Sequence, residues 1–138
     1  ERSTLERLAG ETEVASQVRF TGQLPAERVR QLLMEADLAV APFKNEGFGL
    51  AAAEALMAGV PVVACEDGGG VLDIVPREHG GRVVGADPAS IASAIDEMLA
   101  APAEREAART LGAGWRQRLA PAEVAARFAG WYRDALDA

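Results

Sequence analysis

Residues 38–65 read LAVAPFKNEGFGLAAAEALMAGVPVVAC, and the order of the parts decides the fold. Leu38-Ala39-Val40-Ala41-Pro42 is a short apolar run closed by a proline. Gly47 and Gly49 then form a glycine-rich turn, residues 49–58 suit a helix that Gly59 ends, and Val60-Pro61-Val62-Val63-Ala64-Cys65 is a continuous apolar run. A strand apolar on both faces is a strand covered on both faces. Two of them joined through a helix make the repeating unit of a parallel sheet.

Upstream, residues 3–15 have Leu5, Leu8 and Ala9 at helical spacing, and Val18-Arg19-Phe20 alternates like a short strand closed by Thr21-Gly22. Pro25 reads as a first-turn proline, opening a helix through Val29, Leu32 and Leu33 to about Ala36. Downstream come a triple glycine at 68–70, a short apolar turn from Val71 to Val75 and a last strand from Gly81 to Val84. Pro88, Pro102 and Pro121 then open three helices, the last running to about Leu136. The alternation predicts an α/β fold with a doubly wound parallel sheet. In such sheets ligands bind beyond the carboxyl ends of the strands, which directs attention to the loops after Phe20, Ala41, Cys65 and Val84.

At 138 residues and 49% apolar composition, the chain has the material for one domain with its own core. A charge of −7 argues against a nucleic-acid partner, since phosphate backbones attract basic surfaces. One cysteine, Cys65, excludes an internal disulfide, and with a single histidine it excludes the common zinc arrangements, so no metal is expected. A reducing, cytoplasmic setting follows as the expectation. No apolar run reaches the roughly 18 to 20 residues of a membrane span, and no signal peptide opens the chain. The abundance of alanine, and of arginine over lysine, points to GC-rich bacterial coding. Glu1 is no initiator and the chain begins inside an apparent helix, so a piece of a longer protein is expected.

Chemistry concentrates in Pro42-Phe43-Lys44-Asn45-Glu46-Gly47-Phe48-Gly49-Leu50 and in Glu54 on the helix that follows. A strand end, two glycines and a helix start bring free amides and a positive helix dipole to one crevice, which suits an anion such as a diphosphate. Glu46 and Glu54 would repel phosphate, and they find better use with hydroxyls, because a carboxylate accepts two hydrogen bonds from a vicinal diol on ribose or hexose. A glycosidase pair would stand about 5 to 9.5 Å apart, whereas eight helical positions span about 12 Å, a spacing for two ends of an extended ligand. The plainer reading makes Glu54 a solvated helix residue and Glu46 an acidic residue near a helix start.

These stretches, taken together, resemble the carboxyl-terminal domain of a retaining glycosyltransferase of family 4, a class built from two Rossmann-like halves. The resemblance runs through Val18-Arg19-Phe20-Thr21-Gly22, Ala36-Asp37, Glu46-Gly47-Phe48-Gly49-Leu50, Glu54-Ala55 and Gly59-Val60-Pro61-Val62-Val63-Ala64. Gly69-Gly70-Val71-Leu72-Asp73-Ile74-Val75 and Gly80-Gly81 continue it. Beyond Pro88 it rests on general pattern and on Trp131-Tyr132 in the last helix. It implies a nucleoside diphosphate sugar, UDP- or GDP-linked, as donor substrate and no separate cofactor. The catalytic residue would be Glu46, holding hydroxyls of the donor sugar. Amides of Gly47, Phe48 and Gly49 would contact sugar and diphosphate, Leu50 would pack beside the ribose and Glu54 would grip its diol. Thr21, Gly22, Gln23 and Leu24 would lie against the nucleobase. Phe43 and Asp73 depart from the family pattern, which has a small residue and a glutamate there, and Phe43 is the one placed to reshape the sugar pocket.

The resemblance also implies what residues 1–138 lack. They read as a partial donor domain, amino-terminally truncated, without the upstream strand whose arginine and lysine neutralise the diphosphate and without the acceptor half. Residues 121–138 would cross to that half. The partners expected are the donor, the acceptor domain or another chain supplying the missing strands, and a membrane surface only through the absent half. The isolated piece is expected to be inactive. In the strand order 3-2-1-4-5-6 the two absent strands lie between Val18–Phe20 and Leu38–Ala41. The apolar Leu38–Ala41 edge would then be filled by another chain, by a second copy, or by collapse of Val18–Phe20 onto it. His79 reads as a loop residue, Lys44 as solvated and Cys65 as core. A non-catalytic sugar-nucleotide binding or assembly module of the same fold is the alternative. A flavodoxin-like signalling domain is weaker, having no acidic cluster after its first strand and no task for Glu46 and Glu54.

Overall fold

The computed structural model describes residues 2–137, leaving outside it Glu1 and Ala138, the outer limits of the expected ranges 1–138 and 121–138. The described elements run α1 (Arg2–Glu11), α2 (Ala26–Glu35), β1 (Ala39–Ala41), α3 (Leu50–Met57), β2 (Val62–Cys65), β3 (Gly81–Val84), α4 (Pro88–Leu99), α5 (Pro102–Arg118) and α6 (Pro121–Leu136). Short 3₁₀ turns occupy Ala15–Gln17 and Gly70–Asp73. β2 lies between β1 and β3 and runs parallel to both, with Val63 opposite Val40 on one side and Arg82 on the other. The result is a parallel α/β sheet of Rossmann-like type with flanking helices.

All four residues of β2 are buried, as a strand covered on both faces requires. Its alternation divides the core. Val62 and Ala64 join Ala41, Leu56, Val71 and Ile74 in the larger cluster, whereas Val63 packs with Ala94 and Met98 of α4. On α3 the buried positions are Leu56 and three alanines, Ala52, Ala53 and Ala55, whose small side chains let neighbouring elements come close. At Gly112 of α5 the approach is closest, where a Cβ would lie 2.1 Å from the Leu56 carbonyl oxygen. Pro88, Pro102 and Pro121 each stand at the start of a helix, where a missing N–H is harmless. Asp87 caps α4, its carboxylate accepting from the Ser90 amide at 2.9 Å and the Ser90 hydroxyl at 2.6 Å.

Among the described residues one charged side chain is buried. Glu104 of α5 accepts the Gly80 N–H at 2.7 Å and lies 3.4 Å from Arg82, which pairs with Glu97 of α4 at 2.7 Å. This network ties α4, α5 and the amino end of β3 together, at the end of the sheet remote from the loops that follow β1 and β2. Among the described residues no helix is long and apolar enough to cross a membrane.

Two sequence expectations are corrected. The first helix stops at Glu11 instead of continuing to 15, because Glu13 turns to the left-handed φ 59° and the chain closes on itself, Glu13 N–H donating to the Gly10 carbonyl at 3.4 Å and Val14 N–H to the Ala9 carbonyl at 3.2 Å. Val18-Arg19-Phe20 is no strand. No described strand lies beside it, and three residues gain nothing from extension without a neighbour's hydrogen bonds. Val18 is exposed and Phe20 is half-buried beneath the Arg2 guanidinium, so this segment has not collapsed onto β1. Val40 in β1 remains 43% exposed.

Candidate functional site

Beyond Ala41 the chain leaves β1 yet stays tied to the segment leaving β2. Asn45 N–H donates to the Asp67 carbonyl at 2.8 Å, Glu46 N–H to the Gly68 carbonyl at 3.0 Å, and Gly70 N–H to the Glu46 carbonyl at 2.7 Å. Glu46 and Gly69 thereby form an isolated parallel bridge that resumes the sheet past its carboxyl edge. The triple glycine is what allows two backbones to meet this closely. A Cβ on Gly70 would lie 2.1 Å from the Gly47 carbonyl oxygen, and one on Gly69 2.6 Å from that of Glu46.

Gly49 then begins α3 from a left-handed conformation, φ 87° and ψ 48°, and a Cβ there would strike Val71 at 2.9 Å. No side chain caps the helix and its first turn carries no acidic residue. The first-turn amides, with the positive end of the helix dipole, are therefore available to an anion at the carboxyl edge of the sheet. Phe48 and Leu50 flank this point with 46% and 68% of their surface exposed.

Glu54 sits one turn into α3 and is exposed. It lines a groove of about 600 Å³ between α2, α3 and the end of α5, whose apolar wall includes Val29, Leu33 and Met57 and whose polar groups include Arg30 and Arg116. Arg116 is occupied in part by a hydrogen bond to the Met57 carbonyl. Ala26, the first residue of α2, lines the same groove. The loop Thr21-Gly22-Gln23-Leu24 runs into that end of α2, its first three residues exposed and Leu24 half-buried. Among the described residues neither Glu46 nor Glu54 has an ion-pair partner. Glu46 lies in the bridge, not on the helix, so the 12 Å helical spacing does not apply to the pair.

None of the remaining candidates lines the groove beside Glu54. Lys44 is 77% exposed, 4.0 Å from the Asp67 carboxylate. His79 is 75% exposed in the loop before β3, 3.7 Å from Glu104. Phe43 packs against the larger core cluster, which accounts for an aromatic side chain at that position. Cys65 is buried, and desolvation, with Asp67 and Asp87 nearby, pushes its thiol above the usual range. Three features went unread in the sequence: the groove beside Glu54, the partner of the triple glycine and the buried Glu104. Only the second left a signal, three consecutive glycines with no turn type to explain them.

Residues 1–115 match the family described as Glycosyl transferases group 1. The chain belongs to the group 1 glycosyltransferases. It is 38% identical over 102 residues to D-inositol 3-phosphate glycosyltransferase 2 of Catenulispora acidiphila, a match covering 74% of this chain and 24% of that protein. It is 34% identical over 119 residues to the GDP-mannose-dependent alpha-(1-6)-phosphatidylinositol monomannoside mannosyltransferase of Mycolicibacterium smegmatis, covering 81% and 31% respectively. Among solved structures, sucrose-phosphate synthase from Thermosynechococcus elongatus superposes with a TM-score of 0.78 at 32% identity, over 99% of this chain and 34% of that one. The matches thus span 24% to 34% of these relatives' lengths. As a group 1 glycosyltransferase domain it has its uncapped helix, Glu46 and Glu54 all following the carboxyl end of β1. The family match stops before α6, whose Phe128, Trp131 and Tyr132 are exposed.

Proposed function

We propose that this group 1 glycosyltransferase domain is the carboxyl-terminal, donor-binding half of a longer retaining enzyme, one that moves a sugar from a nucleoside diphosphate to an acceptor held by another domain. Residues 1–138 alone lack the acceptor half and the upstream cations and transfer no sugar, and the exposed aromatic face of α6 is the part that reaches that half. The observation that carries this reading is Glu54, a carboxylate with no ion-pair partner among the described residues, on the wall of a largely apolar groove that Ala26 also lines, one turn from an uncapped helix start. A nucleotide has the matching sequence of parts: a base, a diol and a diphosphate.

In this arrangement Thr21, Gly22, Gln23 and Leu24 lie against the base, and Glu54 accepts both ribose hydroxyls with Leu50 packed beside the ring. The Gly47, Phe48 and Gly49 amides face the diphosphate, and Glu46 holds hydroxyls of the sugar. The amino end of α3 then favours the negative charge that gathers on the diphosphate as the bond to the anomeric carbon breaks. No separate cofactor enters, the donor being the substrate. GDP-mannose, in the name of one relative, makes a guanosine diphosphate sugar one of the donors to try alongside the uridine series. Glu54→Ala in the full-length protein is expected to weaken nucleoside diphosphate binding by about 2 to 4 kcal/mol while leaving the melting temperature near wild type. Unchanged affinity in that variant overturns the assignment.

A further inference from the structure

We propose that Gly69 is a positioning residue for Glu46, so that the loop leaving β2 sets where the Glu46 carboxylate meets the donor sugar. The inference deepens the reading of Glu46 given above and rests on it. Gly69 holds φ 71° with ψ −134°, a combination essentially confined to glycine. A Cβ there would lie 2.6 Å from the Glu46 carbonyl oxygen, 2.9 Å from the Glu46 nitrogen and 3.0 Å from the Asn45 carbonyl carbon. Every one of these contacts falls on the backbone of residues 45 and 46. Gly69 itself is exposed, so a methyl group added there neither crowds nor opens the core.

The hydrogen bonds point the same way. Glu46 is held on both sides by the loop leaving β2, through Gly68 O at 3.0 Å and Gly70 N at 2.7 Å, and Asn45, a non-glycine residue at φ 52°, is held by Asp67 O at 2.8 Å. A strained residue between two strong anchors keeps its conformation only while the anchors stay in place. The Glu46 backbone is therefore located from the 67–70 side, while its side chain stays free to face a ligand. A displacement of a few tenths of an ångström at such a point reaches the reacting sugar without reaching Glu54 or the groove.

The test uses the full-length protein and whichever pair the wild type binds, GDP with GDP-mannose or UDP with UDP-glucose. Gly69→Ala is expected to reduce affinity for the sugar-bearing ligand, relative to the bare nucleoside diphosphate, by about tenfold, with the bare ligand held within about twofold. Gly80→Ala is the control for plain destabilisation. Gly80 has φ 75°, and its Cβ would lie 2.8 Å from the Ala108 nitrogen, at the amino end of β3. That variant should melt lower and leave the ratio unchanged. Should Gly69→Ala fail to fold, Asn45→Gly loosens the same loop without crowding it and should shift the ratio in the same direction by a smaller factor. Equal losses for both ligands in Gly69→Ala, or an unchanged ratio in it or in Asn45→Gly, overturn the proposal. An unchanged ratio in Glu46→Ala removes the reading of Glu46 beneath it. A ratio that moves in Glu46→Ala and not in Gly69→Ala removes the positioning role alone.

Discussion

Glu46 and Glu54 are eight residues apart and serve different surroundings. Glu46 is fixed by its backbone in a bridge between two loops, and Glu54 stands on a regular helix beside an apolar groove. Their roles should separate in solution. Glu46→Ala is expected to leave the bare nucleoside diphosphate bound as in wild type and to reduce sugar transfer by at least about a hundredfold, read as kcat/KM in the full-length protein. Equal loss of the bare and sugar-bearing ligands would reject that division. Asp87, away from the site, gives a pH dependence with a defined sign. Hydrogen bonds from the Ser90 hydroxyl and amide hold its carboxyl below the usual carboxylate range. A carboxyl depressed on folding contributes stability at neutral pH and loses it as the pH falls through its folded value. The melting temperatures of wild type and Asp87→Ala should therefore differ at pH 7 and converge as the pH falls below about 4. A gap that persists or widens at low pH would show that the cap acts through something other than its charge.

Between elements, the closest packing belongs to α5. It crosses α3 where Gly112 meets the Leu56 carbonyl, and it reaches the amino end of β3 through buried Glu104. The Glu104 contact lies away from the Glu46 crevice and bears on stability, whereas the Gly112 contact adjoins the groove that Met57, Ala58 and Arg116 line. Glu104→Ala removes the acceptor of the Gly80 N–H while Arg82 keeps Glu97, and a loss of about 1 to 3 kcal/mol is expected from the stranded amide. Glu104→Gln retains an acceptor and should recover most of that loss. Denaturant midpoints of the two variants provide the check, and indistinguishable midpoints would mean that the hydrogen bond to Gly80 is not what Glu104 contributes.

Across the whole molecule, legibility followed how local the cause of each feature was. The helices opened by Pro88, Pro102 and Pro121 and the buried strand Val62–Cys65 were readable because a proline's fixed φ and an unbroken apolar run act on their own segment. Val18–Phe20 was misread because a strand exists only through pairing, and the described residues offer it no neighbour. In the site, the order of glycines and carboxylates after β1 was visible in the sequence. The groove beside Glu54 was not, since it arises where α2 lies along α3 and no pattern within either helix encodes that meeting. The fit of the triple glycine against Glu46 was hidden likewise, because it joins segments more than twenty residues apart.

On the proposed reading, the carboxyl edge of this sheet holds a nucleoside diphosphate sugar. Calorimetric titration of the full-length protein with UDP, GDP and ADP, and with their common sugar derivatives, tests it most directly. Saturable one-to-one binding of one of these nucleoside diphosphates, and of its sugar derivative, is the predicted result. A folded protein that binds none of them would contradict the account.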